Sequence, residues 1–200
     1  MHQFFGVVAA IIIMGACIPY IKDILAGKVQ PARATRLMFL GLLIVATLQS
    51  HDLGSKWSLL LLGGEILQGS LIFILSIKYG LGGLSKLDVA CYGLLAIDIV
   101  FWVATSNTLV ALMLTITADI IACIPTIIKV IKEPKSETPL FWFVGGLAAL
   151  FAIFAEKNLD FDTIVFPIYL MLINWLVGLL TYRKGTTNKK SSEASEPLGI

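Results

Sequence analysis

The sequence predicts an all-α integral membrane protein with seven transmembrane helices in a 3+1+3 parallel-repeat arrangement, and three observations predict it. Hydrophobic residues make up 58% of the 200 positions and charged residues 14%, with a mean hydropathy of +0.90. A soluble all-α protein of this size needs far more surface charge. Apolar runs long enough to cross about 30 Å of hydrocarbon, roughly 20 residues each, recur along the chain. Finally, Ala16-Cys17-Ile18-Pro19-Tyr20-Ile21 returns as Ala122-Cys123-Ile124-Pro125-Thr126-Ile127. Position 19 thus recurs at position 125, an offset of 106.

The first run, Phe4 to Ile21, has no basic segment ahead of it, and its duplicate lies deep in the chain, so it reads as a mature helix and not as a cleaved leader. The second, Arg33 to Gln49, is short and follows Pro31. Trp57 to Ile77 forms the third, and Val89 to Thr105 the fourth. Leu109 to Ile131 carries the second copy of the repeat, Pro139 to Ala155 opens on proline, and Ile164 to Tyr182 completes the set. Gly185 to Ile200 is polar and has too little apolar surface to fold, which predicts a disordered cytoplasmic tail. The organisation is therefore 1–80, a first three-helix unit; 81–106, a linker helix; 107–184, a second unit; and 185–200, the tail.

Of the 15 Lys and Arg residues, all but Lys56 and Lys157 follow odd-numbered spans. Basic flanks stay on the cytoplasmic side, so the N-terminus is expected outside and the C-terminus inside, in the cell membrane. The net charge of +2 is then a topology signal and gives no reason to expect nucleic acid as a partner. Because both units run from outside to inside, the odd linker helix is what lets them share an orientation, as in a parallel repeat about an axis along the membrane normal.

The duplication extends past the hexapeptide, since Gln68 meets Asn174 at the same offset of 106. With Cys17-Ile18-Pro19-Tyr20-Ile21 followed by Lys28, and Cys123-Ile124-Pro125-Thr126-Ile127 followed by Lys135-Ser136, the chain resembles the PQ-loop and SWEET-like transporters. The likeness covers residues 4 to 182. The eponymous Pro-Gln pair is absent, Tyr20 and Thr126 standing where glutamine would. The resemblance implies that Pro19, Pro125, Pro31 and Pro139 act as the hinge set on which family members rock between inward-open and outward-open states. Proline lacks an N–H and clashes with the preceding turn, which bends a helix; at a helix start, as for Pro31 and Pro139, it is also simply well tolerated.

Polar residues inside the spans carry the expected chemistry. Counted from the outer ends, Gln68 is twelfth in its span, and Asn174 and Asp119 are each eleventh, with Glu65 one turn from Gln68. At about 1.5 Å per residue all lie near mid-membrane, where an ionisable group marks function by default. The resemblance implies that one carboxamide from each unit contacts substrate, which assigns Gln68 and Asn174 to substrate binding, with Trp175 adjoining. Interhelical hydrogen bonding is the alternative for the two carboxamides. Asp119 and Glu65 have the apolar repeat mates Ile13 and Met171, and such asymmetric acids suit proton or cation coupling. Asp98, in the linker helix, reads as structural.

No catalytic residues, metal site or cofactor are expected. The histidines are His2 and His51 alone, and no zinc-protease, nucleophile-elbow or phosphate-loop pattern occurs. Cys17, Cys91 and Cys123 are odd in number and lack metal-ligand spacing. The expectation is a transporter, and not an enzyme, in the lipid bilayer. It moves a small polar solute (a sugar, amino acid or vitamin precursor) by alternating access between its two units. A homo-oligomer is compatible with this reading, and the alternative is a non-transporting receptor or regulatory scaffold of the same fold.

Overall fold

The computed structural model describes residues 1–84, 86–133 and 136–193. Among them the chain is all-helical: α1 His2–Leu25, α2 Arg33–Asp52, α3 Leu59–Tyr79, α4 Lys86–Thr105, α5 Thr108–Lys132, α6 Pro139–Ala155 and α7 Phe161–Glu193. Five of them, α1, α2, α3, α5 and α7, are long and apolar enough to cross a membrane. The apolar parts of the other two, Val89–Thr105 and Pro139–Ala155, are shorter. At 1.5 Å per residue, the 17 residues of α6 reach about 26 Å, a little under the usual hydrocarbon thickness. The backbone of α7 is helical to Glu193, into the segment read as a tail; residues 194–200 of that segment lie outside the described residues.

Loop chemistry sets the helix ends. Gly27 and Gly54 turn the chain after α1 and α2 with φ of 70° and 93°, a region that suits glycine. The Asn107 side chain accepts from Val110 N–H at 3.3 Å and so caps α5. Pro139 is the first residue of α6, as expected, whereas Pro31 stands ahead of α2, which starts at Arg33. The Pro31 carbonyl accepts from Leu81 N–H at 3.0 Å, and Arg33 N–H donates to Leu81 O at 3.0 Å. That proline therefore serves a junction between the loop before α2 and the segment after α3.

One packing pattern occurs twice: α3 lies against both α1 and α2, and α7 against both α5 and α6. In addition α1 meets α6, and α2 meets α5. α4 rests on α5 and α2. Small residues let α6 fit closely between α1 and α7: Gly145, Gly146, Ala148, Ala149, Ala152 and Ala155 are all buried. In lipid, where no hydrophobic force drives helices together, such close backbone approach supplies the packing energy.

Beside an apolar core, several polar groups are buried and many large apolar side chains are exposed. Gln49, Gln68, Asp98 and Thr115 are buried, while Phe4, Ile11, Ile18 and Leu25 leave α1 exposed along one stripe. That distribution is compatible with a membrane protein, whose outer surface meets hydrocarbon and whose polar groups must find partners within.

Candidate functional site

Helical spacing delivers the polar side chains to one place. Glu65 and Gln68 are three residues apart on α3 and so share a face; the Gln68 amide donates to Glu65 Oε2 at 3.0 Å. Asp119, on α5, accepts a hydrogen bond from the Tyr169 hydroxyl on α7. One turn and a half further along α7, the Asn174 amide donates to Leu170 O of its own helix at 2.8 Å. That leaves the Asn174 carbonyl oxygen free of its own backbone.

Glu65, Gln68, Asp119 and Asn174 all line one cavity of about 120 Å³. It lies between α3 and α7, which do not pack on each other among the described residues. Gln68 is 3% exposed, and its carbonyl oxygen has no hydrogen-bond partner. Trp142, on α6, also lines the cavity and keeps a buried indole N–H without a partner. A buried polar atom left unpaired costs on the order of 1–3 kcal/mol. One orphan acceptor and one orphan donor lining the same cavity are what a polar solute would satisfy.

The remaining sequence-derived residues lie elsewhere. The Trp175 indole donates to Phe143 O of α6 at 3.3 Å, so it packs two helices together and does not line the cavity. Pro19 and Pro125 lie inside α1 and α5. Asp98 has a structural setting: it accepts from the Gln49 amide at 3.3 Å and from the Thr115 hydroxyl, joining α2, α4 and α5. Among the described residues no group of His, Cys, Asp and Glu could hold a metal ion.

Compared with known proteins, the chain matches no family model, no curated protein and no solved structure.

Arg36, Trp142 and Thr115 also line the cavity, and Tyr169 supports it through Asp119; no sequence pattern marks them as site residues. Arg36 counts in the sequence as one more basic flank, yet it lines the cavity. At the repeat offset of 106 Arg36 maps to Trp142, and both line the cavity. Gln68 and Asn174 form another such pair on that wall, and Ile13 and Asp119 a third. Nothing local in sequence joins Tyr169 to Asp119.

Side-chain ties flank the cavity at both ends of the bundle. At the end where α1 and α5 finish, Tyr20 is fully buried; it accepts from Arg36 and donates to Glu137 Oε2 at 3.3 Å. Lys129 pairs with the other Glu137 oxygen at 3.2 Å, and Thr138 donates to Asp23 at 2.7 Å. At the opposite end, Glu156 after α6 accepts from the N–H groups of Lys56 and Ser58, each at 3.1 Å, and from the Ser58 hydroxyl. The basic end is thus held by an ionic network and the other by the Glu156 carboxylate on the segment ahead of α3.

Proposed function

We propose that this chain is a membrane transporter, a divergent member of the PQ-loop and SWEET-like class. It moves a small polar solute by alternating access between α1–α3 and α5–α7, with α4 as the linker. One observation carries the reading: Gln68 and Asn174, equivalent by the internal repeat, line the same cavity from two helices that do not touch. The matching helix neighbours within each unit, α3 on α1 and α2, α7 on α5 and α6, support the 3+1+3 arrangement. Ties at both ends of the cavity supply two sets of contacts, one to break for each direction of opening.

In this reading Gln68 and Asn174 bind the solute, while Glu65 and Asp119 meet positive charge in the cavity. Pro19 and Pro125 give equivalent helices a weak point near the basic end, and that end faces the cytoplasm. The test is uptake by liposomes containing the purified full chain, over a panel of sugars, amino acids and vitamin precursors. Saturable uptake that is lost in Gln68→Ala or Asn174→Ala supports it. Binding in the absence of uptake would favour a receptor.

A further inference from the structure

The cavity carries negative charge that no base beside it neutralises. Glu65 on α3 and Asp119 on α5 both line it, and the charge of Asp119 acts on Glu65. Neither has a Lys, Arg or His within ion-pair distance among the described residues. Each accepts one hydrogen bond from a neutral group, Glu65 from the Gln68 amide and Asp119 from the Tyr169 hydroxyl. Arg36, the basic residue on the lining, is engaged at the other end of the cavity: it donates to Tyr20, and Glu137 beyond that hydroxyl supplies its counter-charge. Carboxylates held away from water need a positive partner.

Two acids in a cavity could also serve as a proton store, and Gln68 separates the two roles. Its amide donates to Glu65 Oε2 at 3.0 Å, while its carbonyl oxygen is buried without a partner on a side chain only 3% exposed. A proton on Glu65 neutralises that carboxylate, yet the carboxamide still has one end for Glu65 and the other unpaired. A ligand that is positively charged and also donates hydrogen bonds satisfies both the acids and the orphan carbonyl. An ammonium group has that character, with one positive charge and three N–H donors.

The rest of the wall distinguishes an organic ammonium from a metal ion. Hard cations take six or more oxygen ligands, whereas Phe39, Leu43, Phe166, Leu170 and Ile173 make much of this lining apolar. Such a wall suits the carbon chain of an amine.

Resting on the transport reading above, we propose that the solute is an organic cation bearing a primary ammonium group. Glu65 and the Gln68 carbonyl, three residues apart on one face of α3, accept two of its N–H groups. Asp119 attracts the charge from α5, and the apolar wall covers the carbon chain.

The experiment measures binding and uptake separately. Purified full chain in lipid nanodiscs is titrated with radiolabelled butylamine, and binding is counted above that of empty nanodiscs. It should saturate, and propylamine should displace it. Butanol and butyrate, of the same chain length without positive charge, should compete about tenfold or more less well, as should K+ and tetramethylammonium, a cation with no N–H. Glu65→Gln and Asp119→Asn should each narrow the preference for butylamine over butanol about tenfold, and Gln68→Leu the preference for propylamine over tetramethylammonium. Butanol or butyrate competing as well as propylamine would overturn the cation. Equal competition by K+ or tetramethylammonium would overturn the primary amine, and so would absence of saturable butylamine binding by folded protein. Because the competition series uses the unaltered chain, it stands even if a variant fails to fold. Butylamine uptake by liposomes, above that of protein-free liposomes, is the second readout. Amine-selective binding without uptake would overturn the transport reading and leave the ligand class intact, whereas saturable uptake of a neutral or anionic solute with no amine binding would do the reverse.

Discussion

The Tyr20 hydroxyl donates to Glu137 across 117 positions of sequence at 3.3 Å, and it accepts from Arg36 at the same time. A single oxygen thereby links α1, α2 and the segment leading into α6 at the basic end of the cavity. Removing it with Tyr20→Phe keeps the ring, which stacks on Phe141 with centroids 4.5 Å apart, and leaves Arg36 and Glu137 each short of a partner. A loss of about 1–2 kcal/mol in that network shifts an open–closed balance roughly tenfold. Cys123 is a built-in reporter, since it lines the cavity and is 4% exposed. With Cys17 and Cys91 replaced by alanine, maleimide labelling of Cys123 should be several-fold faster in Tyr20→Phe than in its parent. An unchanged rate would mean that the hydroxyl does not hold this end shut.

At the opposite end Glu156 ties down the segment just ahead of α3, accepting from the N–H groups of Lys56 and Ser58 and from the Ser58 hydroxyl. Glu156→Ala leaves the buried Ser58 N–H and hydroxyl without that acceptor, at a cost of about 1–2 kcal/mol. The midpoint of thermal unfolding in detergent should fall, with Glu156→Gln closer to the parent because its carbonyl oxygen still accepts. Ser58→Ala should add little to Glu156→Ala, because both remove the same contact.

Hydropathy was enough to place all seven helices, and the repeat offset pointed to Gln68 and Asn174, because both signals are periodic and survive without tertiary context. Trp175 was read as a site residue only because it adjoins Asn174; on a helix, consecutive residues point about 100° apart, and Trp175 turns to Phe143 instead. Arg36 was legible only as a topology charge, since a basic flank and a cavity base look alike in one dimension. The Tyr169–Asp119 and Gln49–Asp98–Thr115 contacts join helices far apart in sequence, and such pairings depend on which faces meet. Pro31 looked equivalent to Pro139, but it is held by Leu81, a contact that no local pattern encodes.

The hinge assignment predicts a loss of motion without a loss of fold. Pro19→Ala and Pro125→Ala restore a backbone donor within α1 and α5 and straighten helices that proline would weaken. Uptake by liposomes should fall in each variant while expression and the unfolding midpoint hold. Normal uptake in both would remove these prolines from the mechanism.

Membrane orientation is testable by thiol labelling, and the basic asymmetry fixes the expected sign. A cysteine at position 192 should react with an impermeant reagent only after the membrane is opened. One at position 158, in the turn between α6 and α7, should react in intact cells. The reverse pattern would put the Tyr20–Glu137 network on the outer side.

Two glycines separate the site from the scaffold. A Cβ on Gly145 would lie 2.6 Å from Asn174 Oδ1, the far end of a side chain that can turn aside. A Cβ on Gly6 would lie 2.5 Å from the backbone carbonyl oxygen of Trp57, which cannot move without shifting the start of α3. Gly145→Ala should therefore displace the Asn174 carboxamide from its position on the cavity wall and spare the helix packing. Solute binding should weaken by about 1–2 kcal/mol, the worth of one buried hydrogen bond, at a nearly unchanged unfolding midpoint. Gly6→Ala should act the other way round, lowering the midpoint through overpacking of about 1–3 kcal/mol while the protein that remains folded binds solute normally. Equal effects of the two substitutions on binding would mean that Asn174 contributes nothing to recognition beyond the integrity of the bundle.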